Sequence, residues 1–154
     1  MKEAVVAGAL AVVCLNAAPG LLGAWVWYRG PWTGRPVTTF WVLLRVGQGS
    51  ALTLAIAVGS LAAAGKNASE DLFYLYALLP LAIAFVAEQL RVASAQTILD
   101  QRGLADAQAV GALPEVEQHE IVAEVVRREI GVMACSALVV VFLALRAAGT
   151  AHGF

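Results

Sequence analysis

Four long apolar runs, separated by three polar stretches, set the pattern of this chain. A helix needs about 20 predominantly apolar residues to cross roughly 30 Å of hydrocarbon. The runs at about 4–28, 38–64, 72–99 and 130–146 meet or approach that length and predict four transmembrane helices. Between the first two, RGPWTGRP at 29–36 holds two prolines and two glycines, which forbid a continuous helix and predict a tight loop. The stretch 65–71, GKNASED, is a second short turn, so helices two and three should be antiparallel neighbours.

The third connection has a different texture. Across 100–129 the acidic residues Asp106, Glu115, Glu117, Glu120 and Glu124 alternate with alanine and valine, as in a soluble helix. Pro114 followed by Glu115 and Glu117 is a good helix start, with proline preset for the first turn and carboxylates against the positive end of the dipole. No breaker follows before Gly131. One helix from Pro114 to Arg146 would be about 50 Å long, so its first turns must protrude from a bilayer or lie along its surface. Glu117, Glu120 and Glu124 form an acidic stripe opposite Ile121, Val122, Val125 and Val126, an apolar face suited to packing beneath its own bundle or on another subunit. The predicted fold class is therefore all-α: a polytopic integral membrane protein, one four-helix transmembrane domain over 1–154, with a cytoplasmic helical extension before the fourth span.

Composition narrows the function classes. Of 154 residues, 60% are hydrophobic and 14% charged, and the mean hydropathy of +0.77 excludes a soluble globule. The net charge of -1 offers no basic excess to neutralise phosphates, so nucleic acid is not an expected partner. The usage of Ala, Val, Leu and Gly fits a bacterial origin, hence an inner (plasma) membrane location. Cys14 and Cys135 stand singly in apolar stretches and are expected to be small buried hydrophobes. The first apolar run ends in Trp25, Trp27, Tyr28 and Arg29 rather than a small-residue cleavage site, which predicts a retained helix, not a signal peptide. Trp25, Trp27, Trp32 and Trp41 read as an aromatic belt, and Phe73, Tyr74 and Tyr76 as anchors at the opposite interface.

Along helix two, Gly47, Ala51, Ala55 and Gly59 recur every fourth residue, a groove that another helix backbone can approach, within the chain or in a second copy. Ionisable groups inside spans are costly and become functional candidates by default. Arg45 and Gln48 share a face of helix two, and Glu88 and Arg91 share one of helix three. Antiparallel packing brings these four to similar depth, with Glu124, Arg128 and Glu129 just below them at the start of helix four. Three readings stay open: a structural ion-pair network, Arg45 with Glu88 and Glu124 with Arg128; a cavity in which Arg45 and Arg91 receive an anionic lipid headgroup or a quinone, with Glu88 as acid or base; or an ion path through Glu88, with Asn16 and a Pro19–Gly20 break in helix one freeing backbone carbonyls.

Specific chemistries are missing residues. His119 and His152 lie outside the spans, so no haem is expected within the bundle. His119–Glu120 opens like a zincin motif, but Ala123 stands where its second histidine belongs. Ser50 follows a small-residue turn without a base to activate it. No metal or cofactor is expected. The leading expectation is a non-enzymatic membrane module, an oligomeric transport or channel-like protein or an accessory subunit of a larger complex, with membrane lipids as partners. The alternative is a membrane enzyme or binding protein for an anionic lipid or quinone.

Orientation follows from cations near the helix ends. Lys2, Lys66 and Arg146 fall on one side, and Arg29, Arg35, Arg102, Arg127 and Arg128 on the other. The bias places both termini outside. A reporter active only outside the cytoplasm should read positive at residues 2, 67 and 154 and negative at 33 and 110; the reverse pattern would invert the orientation.

Overall fold

The computed structural model describes residues 2–30 and 33–151, so Trp32 of the expected aromatic belt and His152 lie outside the described residues. The described chain is helical, without a strand: α1 (Lys2–Arg29), α2 (Arg35–Ala63), α3 (Asp71–Gln101), α4 (Ala107–Gly111) and α5 (Glu115–Thr150). α1, α2, α3 and α5 are each long and apolar enough to cross a membrane. α5 is continuous over 36 residues, about 54 Å, so its acidic first turns and its apolar remainder form one rod.

Two boundaries differ from expectation for simple reasons. Arg35 and Pro36 open α2 instead of closing the loop, because a first-turn proline sacrifices no intrahelical hydrogen bond. α1 passes through Pro19 without the expected break. Proline removes one donor, which would have served Leu15, and the carbonyl of Leu15 instead lies against Gly47 of α2: a Cβ on Gly47 would sit 3.0 Å from that oxygen. α2 and α3 end alike. Gly65 and Gly103 have φ of 76° and 69°, and the next amides, of Lys66 and Leu104, donate back to Leu61 (3.0 Å) and Leu99 (2.9 Å). These left-handed turns satisfy carbonyls that a helix end leaves open.

α5 packs along both α1 and α3, and α2 packs chiefly on α1, touching α3 more sparingly. Three clusters fill the interior. Val26, Phe40, Leu44 and Ile130 lie at the end bearing the α1–α2 loop. Val12, Ala51, Val140 and Ala144 form the middle, and Val5, Val58, Phe73 and Ala147 the far end. Phe73 is therefore core, not an interfacial anchor. Tyr74 instead ties down the α2–α3 turn, its hydroxyl accepting from the amide of Ala68 at 2.9 Å and donating to Asn67 Oδ1 at 3.2 Å. Cys14 and Cys135 correct another expectation, for both are exposed on the outside of the bundle. In so apolar a chain, hydrophobes face outward as readily as inward.

Missing side chains set the helix spacing. A Cβ at Gly23 would lie 2.5 Å from the Phe40 ring and 2.7 Å from Ala134 Cβ, and one at Gly20 would lie 2.7 Å from Leu138. Close approach of this kind is how helices gain contact where burial from water cannot drive them together. Gly23→Ala should lower resistance to denaturation in micelles by about 1–3 kcal/mol, the usual cost of overpacking. Gly49→Ala, which meets nothing within 4 Å, should be neutral or slightly stabilising. Equal effects would disprove the contact.

Candidate functional site

The helical repeat of α2 places Trp41, Arg45 and Gln48 along one side, and that of α3 pairs Glu88 with Arg91. Where they meet, Glu88 is the hub. Arg45 Nη1 donates to Glu88 Oε1 at 2.5 Å and to Gln48 Oε1 at 2.7 Å, while Gln48 Nε2 reaches the same carboxylate oxygen at 3.4 Å. Arg91 Nε donates to the other oxygen, Oε2, at 3.0 Å. Arg91 also extends toward α5, 3.9 Å from Glu129 Oε1, with its guanidinium 5.4 Å from the centre of the Trp41 ring. The chain Arg45–Glu88–Arg91–Glu129 thus joins three helices with two positive and two negative charges.

Its placement is unusual. Gly49 is the midpoint of α2, and Arg45 lies four residues away, roughly 6 Å along the axis. The Arg45 side chain nevertheless remains 53% exposed, against 26% for Glu88. The cluster opens sideways, through the sparse α2–α3 seam.

The other expected residues are distributed differently. Glu124 does not pair with Arg128: its Oε2 accepts from Arg102 Nη2 at 2.8 Å. Arg102 follows α3 directly, and the turn at Gly103 leads the chain back toward α5, which sets this pairing. Arg128 is exposed and makes no ion pair among the described residues, lying instead on a cleft beside Trp27. Asn16 is buried at mid-bundle with its amide nitrogen engaged, donating to the carbonyls of Val12 (2.9 Å) and Gly47 (3.2 Å). It locks α1 to α2 rather than lining a row of freed carbonyls. Ser50 Oγ is likewise engaged, donating to the Gly47 carbonyl at 2.6 Å.

Of the four-residue stripe, Gly47, Ala51 and Ala55 are buried, whereas Gly59 faces open space. Steps of four overshoot a 3.6-residue turn by about 40°, so by Gly59 the stripe has rotated off the α1 contact and Val58 takes the inward position. Arg102 is a member of the ion-pair pattern that the sequence did not single out, whereas Glu129 stood with Glu124 and Arg128 at the entry of helix four. Glu129 had a signal, as the last charge before the apolar run of α5; Arg102 had none, since its partner is 22 residues away.

Glu88 serves two cations and Arg45 only one carboxylate, which predicts unequal losses. Glu88→Gln should cost about 3 kcal/mol, the order expected when buried charge loses its partner. Arg45→Met should cost nearer 1 kcal/mol, because Glu88 keeps its contacts with Arg91 and Gln48 and no charge is left unpaired. The double replacement should be less damaging than the sum, a coupling that a double-mutant cycle in micelles measures directly. Additive effects would show that the two residues do not act as partners.

No protein-family model matches this chain, and no curated protein or solved structure matches it either.

Proposed function

We propose that this chain is a non-enzymatic, four-span membrane module that oligomerises through its α2–α3 face, with the Arg45–Glu88 cluster as the polar seam between copies. In this reading the membrane is the inner (plasma) membrane, the termini are outside, and α4 with the first turns of α5 forms the cytoplasmic extension. The observation that carries it is the half-exposed Arg45 close to the midpoint of a helix long and apolar enough to span a bilayer. Charge at that depth facing hydrocarbon is expensive, and a neighbouring protein surface removes the expense.

Two further features support a protein neighbour. The cluster is already neutral within itself, so an anionic lipid or quinone finds little uncompensated charge at Arg45 and Arg91. The α2 surface beside Arg45 also carries Gly49, Thr53, Gly59 and Ser60, all exposed, and a Cβ added at either glycine would meet no neighbouring element within 4 Å. Small residues along an open face allow a second helix to approach closely. Hydrogen bonds across such a contact are worth about 0.6–2 kcal/mol each, enough to select a partner without making it irreversible.

Thr53→Cys in a background lacking Cys14 and Cys135 tests this in native membranes. Oxidation should give a disulfide-linked dimer, and combining it with Arg45→Met and Glu88→Gln should reduce that dimer several-fold while the folded monomer persists. A chain that stays monomeric with the cluster intact, or dimers indifferent to its removal, would refute the seam.

A further inference from the structure

The cleft beside Trp27 opens where α5 is flanked by α1 and α3. Its volume is about 720 Å³, and its lining includes Trp27 of α1, Val86 and Leu90 of α3, and Arg128, Cys135 and Val139 of α5. The surface is almost wholly apolar, and Arg128 is the one charged residue in its lining. Along α5 from Arg128 to Val139 is 11 residues, roughly 16 Å, so the cleft is an elongated channel with its cation at one end.

That end lies level with the last turn of α1, because Trp27 packs where a Cβ on Gly131 would be 2.9 Å from its indole nitrogen. The neighbouring Arg127 holds its guanidinium 5.4 Å from the centre of the Trp27 ring. The acidic residues close to Arg128 along α5 are matched elsewhere: Glu124 by Arg102, and Glu129 by Arg91. Arg128 therefore presents an uncompensated positive charge at the mouth of an apolar channel, at the level where a bilayer changes from headgroups to chains. An elongated apolar ligand with an anionic head fits both halves.

We propose that this cleft binds one anionic phospholipid, its phosphate against Arg128 and an acyl chain along the channel past Cys135 toward Val139. The site depends on the membrane-spanning reading above but not on oligomerisation through Arg45, which lies outside the cleft lining. Arginine suits the head because its planar fork matches phosphate oxygens two at a time. The apolar channel suits the chain because each buried methylene adds its own transfer free energy.

Native mass spectrometry of the detergent-solubilised protein, titrated with dioleoyl phosphatidylglycerol or dioleoyl phosphatidylcholine, tests the site. One equivalent of the anionic lipid should bind about tenfold more tightly than the zwitterionic one, the effect of a single charge-assisted contact. Arg128→Gln should erase that preference and Arg128→Lys should retain part of it. Cys135→Phe, at an exposed position, should weaken both lipids by filling the channel, whereas the pair Arg45→Met with Glu88→Gln should leave the preference intact. Inorganic phosphate, having no chain, should not compete. Equal binding of the two lipids by the unaltered protein, a preference that survives Arg128→Gln, or displacement by inorganic phosphate would each overturn the proposal.

Discussion

Contact between α1 and the Gly47–Ala51 side of α2 decides how every other polar group in the bundle is oriented. Gly47 admits the Asn16 amide and the Leu15 carbonyl because it has no side chain; a Cβ there would be 2.8 Å from Asn16 Oδ1. The hydrogen bond from Asn16 to the Gly47 carbonyl then fixes rotation as well as distance. Successive residues in a helix turn by about 100°, so with Gly47 facing α1, Arg45 points roughly 160° away and Gln48 about 100° away. The charged face of α2 has no choice but to turn from α1 toward α3 and the outside.

Once α2 is held in that rotation, the polar cluster follows from α3. Glu88 must reach across a seam that few apolar contacts close, and it does so by accepting from Arg45, Gln48 and Arg91 together. A carboxylate with three donors tolerates a low-dielectric position that a single pair would not. Arg91 then carries the chain of charge onward to Glu129, linking the sparsely packed α2–α3 pair to α5, the best packed helix. The ions thus substitute for the packing that the α2–α3 seam lacks.

The helices themselves were legible in the sequence because length and apolarity suffice to identify a spanning segment, and the observed ends fall within a few residues of the expected ones. The depth argument also worked for Arg45 and Glu88, since antiparallel neighbours of known length leave little freedom along the axis. Rotation was the hidden quantity. When lipid and core are equally apolar, hydrophobicity no longer distinguishes the inner face from the outer one, which is why Phe73 proved to be core and Cys14 and Cys135 peripheral. Gly59 left its stripe for the related reason that a four-residue spacing drifts around the helix. Arg102 took Glu124 from Arg128 because the chain reverses at Gly103, a tertiary consequence with no local spacing to announce it.

That exchange of partners has a consequence for the other side of the molecule. Had Glu124 paired with Arg128 one turn away, the cation would have been neutralised on its own helix and the cleft beside Trp27 would be an ordinary apolar crevice. With Arg102 occupying Glu124 and Arg91 facing Glu129, the positive charge of Arg128 is left at the mouth of the apolar channel beside Trp27. The two faces of the bundle consequently differ in kind. The α2–α3 side is neutral as a whole, internally hydrogen-bonded and flanked by exposed small residues, the attributes of a surface that meets another helix. The α1–α3–α5 side is apolar, with Arg128, which has no ion pair among the described residues, at one end of its cleft, the attributes of a surface suited to a lipid. A single alternative pairing at Glu124 separates these two arrangements, so the turn at Gly103, which brings Arg102 to Glu124, governs the charge at a cleft that contains none of its residues.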